Sequence, residues 1–109
     1  LKQRKEALIS LGASWSPSIK GAYHSIILNP EDNNDIKRIV AHKLKQRPSD
    51  NNFKVLVKAL RKTDDIGLQN TITKVLRVRN PKGPVISDDE PERTEEYIKS
   101  WEQWIKKFN

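Results

Sequence analysis

The stretch from Phe53 to Val78, FKVLVKALRKTDDIGLQNTITKVLRV, constrains the fold more than any other part of the chain. Phe53, Leu56, Val57 and Leu60 recur at helical spacing, and Leu68, Ile72, Val75 and Leu76 form a second such stripe. Between them stands Thr63-Asp64-Asp65, short polar residues that suit a turn and a helix N-cap. Two short helices joined this tightly lie antiparallel, each with an apolar face to cover. A hairpin of that size cannot hide both faces alone, so the rest of the chain must supply matching surfaces.

It supplies them at regular intervals. Ile36, Val40 and Leu44 recur 32 residues later as Leu68, Ile72 and Leu76. Ile19, Ala22, Tyr23 and Ile26 recur 34 residues later as Phe53, Leu56, Val57 and Leu60. Ala7 and Leu11 stand 33 residues ahead of Val40 and Leu44, with Leu8 on the same short face. Self-similarity at such a period is the signature of a stacked helical array.

The punctuation agrees. Gly12 is expected to stop the first helix, and Ser16-Pro17 reads as an N-cap followed by proline at the first helical position. Asn29-Pro30 ends the second helix and Glu31–Asn34 is a polar turn, with Asp35 expected to cap the third. Pro48 closes that helix by removing a donor and restricting Arg47. Residues 80–92, NPKGPVISDDEPE, hold three prolines and a glycine and read as loop. Residues 93–109 read as a last helix, with Tyr97, Ile98, Trp101, Trp104, Ile105 and Phe108 on one broad face. Its early acids Glu92, Glu95 and Glu96 and late Lys106-Lys107 match the helix dipole.

LVKALRKTDDIGLQNTITKVL resembles a HEAT repeat: an apolar first helix, a turn carrying Asp, and a second helix opening on an apolar residue. KEALISLG resembles the second helix of such a unit. The period is shorter than the roughly 40 residues of a full unit, and Asn70 and Thr73 are polar where small apolar residues are common. The resemblance covers residues 1–79 and implies an all-α, right-handed α-solenoid of antiparallel helix pairs, about two and a half units, with residues 93–109 as a C-terminal cap. The ending WEQWIKKFN also resembles the tail of helical-repeat segments in large bacterial secreted dehydrogenase or haem-binding proteins, which implies the same capping role.

Charge narrows the functional classes. The 109 residues carry a formal +7, and residues 1–82 hold 17 basic and 7 acidic side chains, or +10. Residues 83–109 hold 4 basic and 7 acidic side chains, or −3. Such a balance invites an acidic partner or nucleic acid, and equally serves solubility. If the second helices stack, His42, Lys45 and Arg47 line up with Lys74, Arg77 and Arg79, and Arg38 extends the same face into a basic ridge. These residues are also ordinary solvated positions on amphipathic helices, and Lys54, Lys58, Arg61 and Lys62 spread the charge to a neighbouring helix.

Trp15, Trp101 and Trp104 are candidate aromatic contacts, with packing as their competing role. His24 and His42 lie on different helices, cysteine is absent, and Asp88-Asp89-Glu90 with Glu92 lacks the spacing of a calcium loop. No spacing assembles a nucleophile, a base and an oxyanion donor, and the glycines build no phosphate loop. Neither a metal nor a cofactor is expected. No apolar run approaches the roughly 20 residues of a membrane span, and no signal peptide is visible. The opening at Leu1 without Met reads as a segment of a larger protein, which leaves the compartment and oligomeric state open. The expectation is a non-catalytic scaffold or protein-interaction module. The alternatives are nucleic-acid binding through the basic ridge and a helical-repeat fragment of DNA-repair type.

Overall fold

The computed structural model describes residues 2–84 and 95–108, and those residues form six α-helices and no strand. They are α1 (Lys2–Leu11), α2 (Pro17–Leu28), α3 (Asn34–Lys45), α4 (Asp50–Lys62), α5 (Ile66–Arg79) and α6 (Glu95–Ile105), the last followed by a 3-10 turn, Lys106–Phe108. The expected acidic loop cluster at Asp88-Asp89-Glu90 with Glu92, and the start of the last helix at Arg93, lie outside the described residues.

Short polar side chains start the helices by accepting orphan amide protons. Ser16 accepts from Ile19 N at 3.1 Å, Ser49 from Asn52 N at 3.1 Å and Asp65 from Leu68 N at 2.8 Å. At α3 the cap is Asn33, not Asp35. Asn33 Oδ1 accepts from both Asp35 N at 2.8 Å and Ile36 N at 3.1 Å, so Asp35 falls one residue inside the helix. An uncharged amide oxygen does the same work there, and the acid is left to meet the helix N-terminus and Arg38. Gly12 ends α1 at φ +54°, the left-handed conformation that glycine tolerates without steric cost.

Replacing Asp65 by alanine is expected to lower stability by about 0.5–2 kcal/mol, the usual worth of an N-cap. Asp65→Asn keeps the acceptor and should lie close to wild type in urea unfolding. If the two variants unfold alike, charge rather than capping explains the residue.

The helices meet in two rows. α3 touches both α1 and α5, α4 touches both α2 and α6, and the rows join through α2 with α3 and α4 with α5. Polar bonds fix the direction of the first pair. Arg4 grips Asp32 in a two-pronged pair at 2.7 and 2.9 Å at the start of α1 and α3, and Lys43 Nζ donates to Gly12 O at 2.6 Å near their ends. α1 and α3 therefore run the same way. Arg4 also holds the Asp32 carboxyl below the usual carboxylate range. The molecule measures 38 × 28 × 20 Å, and its shortest dimension is that of two helix layers.

The core lies between the rows. Val40, Leu44, Leu56, Leu60, Leu68, Ile72 and Leu76 are essentially inaccessible, and with Tyr23, Ile27, Ile36, Ile98 and Trp101 they form one cluster. Each such side chain contributes about 1.5–3 kcal/mol on burial. The expected stripes of α3, α4 and α5 are thus the buried ones. The ends of the array differ. Of the expected α1 face only Leu8 is buried, while Ala7 and Leu11 are exposed, because α1 stands at the end of its row and packs mainly against α3. Ala22 of α2 is exposed as well.

Candidate binding surface

α3 and α5 present their last turns side by side. His42 and Lys45 from α3 and Thr73, Lys74, Val75, Arg77 and Val78 from α5 line a cleft of about 520 Å³, with Tyr97 of α6 also in its wall. The repeat accounts for their company: His42 and Lys74, like Lys45 and Arg77, are 32 apart in sequence, and all four line the same cleft. Along each helix the two basic residues are three apart and share one face. Val78 is 55% exposed, an apolar side chain open to solvent beside the basic groups. None of the lining residues is acidic. Arg77 is partly held in place, since its Nη1 donates to Pro84 O at 3.1 Å. Burial raises the Tyr97 phenol above its ordinary pKa, and the charge of Arg77 works against that rise.

The other ridge candidates sit elsewhere. Arg38 lies at the opposite end of α3, paired with Asp35 and 3.7 Å from Asp65, and it passes close over Gly67. Arg47 is past the end of α3. Its Nη2 donates to Ala13 O at 2.9 Å and its guanidinium lies 5.9 Å from the Trp15 ring centroid. Arg79 is exposed and does not line the cleft. Four of the seven ridge residues therefore converge, and Arg38, Arg47 and Arg79 do not join them.

The aromatic candidates divide as well. Trp15 is half-buried, with its ring centroid 6.0 Å from that of Tyr23. With Lys20, Gln46, Arg47, Pro48, Ser49 and Asn52 it lines a second hollow of about 440 Å³. Trp101 is fully buried. Trp104 is half-buried, donates from Nε1 to Asn80 Oδ1 at 3.1 Å and carries Lys107 Nζ 3.8 Å from its ring centroid.

Both histidines have separate surroundings. His24 Nε2 lies 2.7 Å from Asn52 Oδ1, and Asn52 Nδ2 donates to Arg47 O at 2.6 Å. That direction makes Asn52 Oδ1 the acceptor and puts the proton on His24 Nε2. Among the described residues no group of three His, Cys, Asp or Glu side chains gathers as a metal set, and no helix is long and apolar enough to cross a membrane.

The basic side chains around the cleft are those that share a register in the sequence, whereas the apolar exposure of Val78 beside them has no sequence signal. In the sequence Val75 reads as part of the second apolar stripe, Thr73 as a polar departure from the repeat, and Val78 only as the end of the Phe53–Val78 stretch. Tyr97 had no signal, because its place depends on where α6 docks. The Arg61 clamp was likewise unreadable. Arg61 bonds Glu95 at 3.0 Å and Glu102 at 2.6 and 2.8 Å, which ties α4 to α6, raises the guanidinium pKa and lowers that of Glu102. One of the basic residues on the neighbouring helix is thereby neutralised. No protein-family model, no curated protein and no solved structure matches this chain, so the α3–α5 cleft and its rim are the features from which a function has to be argued.

Proposed function

We propose that this chain is a non-catalytic helical-repeat scaffold, a short right-handed α-solenoid of HEAT-like antiparallel pairs, α2 with α3 and α4 with α5, capped by α6. Its α3–α5 face binds a protein partner. The observation that carries the proposal is the two-row connectivity, in which every second helix stacks on the one two places before it. The shared direction of α1 and α3 and the 32-residue register of the cleft residues support it. A rigid pair of rows holds exposed side chains at fixed separations, which is what a docking surface needs. Fold alone does not assign function, so the surface chemistry has to be tested.

The chain is immobilised alongside a Lys45→Glu/Lys74→Glu variant, and proteins from a native extract are compared on both. A polypeptide retained by the wild-type chain after nuclease treatment and lost by the variant supports the scaffold. Retention of protein that is unaffected by the variant, or no retention at all, removes it.

Nucleic acid is the second reading, favoured by the convergence of His42, Lys45, Lys74 and Arg77. Phosphate contacts would make binding fall steeply with salt. Titration against a duplex at two salt concentrations separates the readings, and no binding at low salt removes this one. The DNA-repair alternative requires a catalytic acid facing the basic groove, and nothing lining the cleft fills that role.

A further inference from the structure

We infer that the cleft between α3 and α5 receives one acidic amphipathic helix of a partner protein, its apolar side chains against the exposed Val78, which stands over the buried Val75 and Tyr97 of the cleft wall, and its carboxylates against His42, Lys45, Lys74 and Arg77. This rests on the scaffold proposal and specifies the chemistry of its partner.

Two properties of the cleft point the same way. The first is charge. Four basic or imidazole side chains surround the opening and no acid lines it. His42 and Lys74 are exposed, and Lys45 and Arg77 are half-exposed. Complementarity therefore demands an anionic occupant, and steering by such a field speeds its encounter.

The second is the apolar surface inside that rim. A valine left 55% exposed gains nothing from a phosphodiester backbone, whose contacts are polar and charged. It does gain from a leucine or phenylalanine that leaves water with it. An amphipathic helix presents both chemistries at once, apolar anchors at i, i+3, i+4 and i+7 with charges flanking them. The rim has the matching repeat, since His42 and Lys45, like Lys74 and Arg77, stand three residues apart on their helices. The cleft's volume, about 520 Å³, falls within the range of sites that bury several apolar groups.

The test uses the full chain and a fluorescein-labelled peptide of leucine, glutamate and alanine, with leucines at i, i+3, i+4 and i+7. A control peptide has the same composition in scrambled order. Anisotropy is followed at low and high salt. The ordered peptide is expected to bind at least about tenfold more tightly than the scrambled one, a difference of about 1.4 kcal/mol. Part of its affinity should survive high salt, because apolar burial is not screened.

Val78→Asp should weaken the ordered peptide by about tenfold or more, and Lys74→Glu should weaken it mainly at low salt. Both positions are exposed, so unchanged thermal unfolding is expected for both variants and serves as the control for folding. Equal binding of the two peptides overturns the inference, and so does a Val78→Asp variant that binds like wild type. So does a duplex that binds where neither peptide does. If the extract experiment still yields a protein dependent on Lys45 and Lys74, the scaffold proposal stands and only the helix in the cleft falls.

Discussion

Trp101→Ala is expected to lower the unfolding free energy by about 3–5 kcal/mol, the range for a fully buried large aromatic. That is a large share of the roughly 5–15 kcal/mol that holds a domain of this size together. Trp101 is 0% exposed and sits in the main cluster with Ile98 and Leu60. The backbone at Gly83 comes so near that a Cβ there would stand 2.8 Å from the Trp101 ring and 3.0 Å from Asn80 O. The indole thus lies between α6 and the segment leaving α5, and alanine leaves a void bounded on one side by backbone that cannot easily collapse. Urea unfolding followed by circular dichroism measures the loss. Trp104→Ala should cost less, because Trp104 is half-buried and makes one hydrogen bond, to Asn80. A Trp101→Ala loss below about 1 kcal/mol would mean that α6 contributes little to the core, outside the span expected for such truncations.

The next largest effect is expected at the contact between α3 and α5. Ile72→Ala should cost about 2–5 kcal/mol, since Ile72 is 0% exposed among Val40, Leu44 and Leu76 in the same cluster. Ile66→Ala, on the same helix six residues earlier, should stay within about 0.5 kcal/mol of wild type. Ile66 is 59% exposed. The pair holds residue type and helix constant and contrasts a buried interior position with an exposed one at the helix start, so equal losses in the two variants would contradict the burial of Ile72. Ile72→Ala should also weaken peptide binding in the α3–α5 cleft, because both ridges take their separation from the helices that Ile72 joins.

Helices α3, α4 and α5 were legible because each carries an apolar stripe long enough to set the period, with Thr63-Asp64-Asp65 marking the start of α5, whereas the Ser49 cap of α4 emerges only from the structure. The error at α3 is local and physical. Asn33 and Asp35 are both good capping residues, and two positions separate them, so spacing alone could not choose. The exposed Ala7 and Leu11 are an end effect: the pattern of α1 looks like that of an inner helix, but a terminal helix has fewer neighbours to cover it. The residues of the expected ridge divide for a related reason. Register identifies which residues can share a surface, and His42, Lys45, Lys74 and Arg77 line one cleft. It carries no information about acids arriving from elsewhere, and Arg38 is taken by Asp35 and Asp65.

Local periodicity and a near-constant spacing, both short-range properties of the chain, determined where the main helices run and which of their residues stand level. Tertiary structure alone decided which charges line the α3–α5 cleft and which are taken up by ion pairs, and where Val78 stays open to solvent. Arg61 is claimed by Glu95 and Glu102, 34 and 41 residues away, and Tyr97 reaches the cleft only because α6 docks where it does. Such pairings depend on how distant segments pack, and the energy of one ion pair or one ring contact is too small to leave a recurring pattern in the sequence.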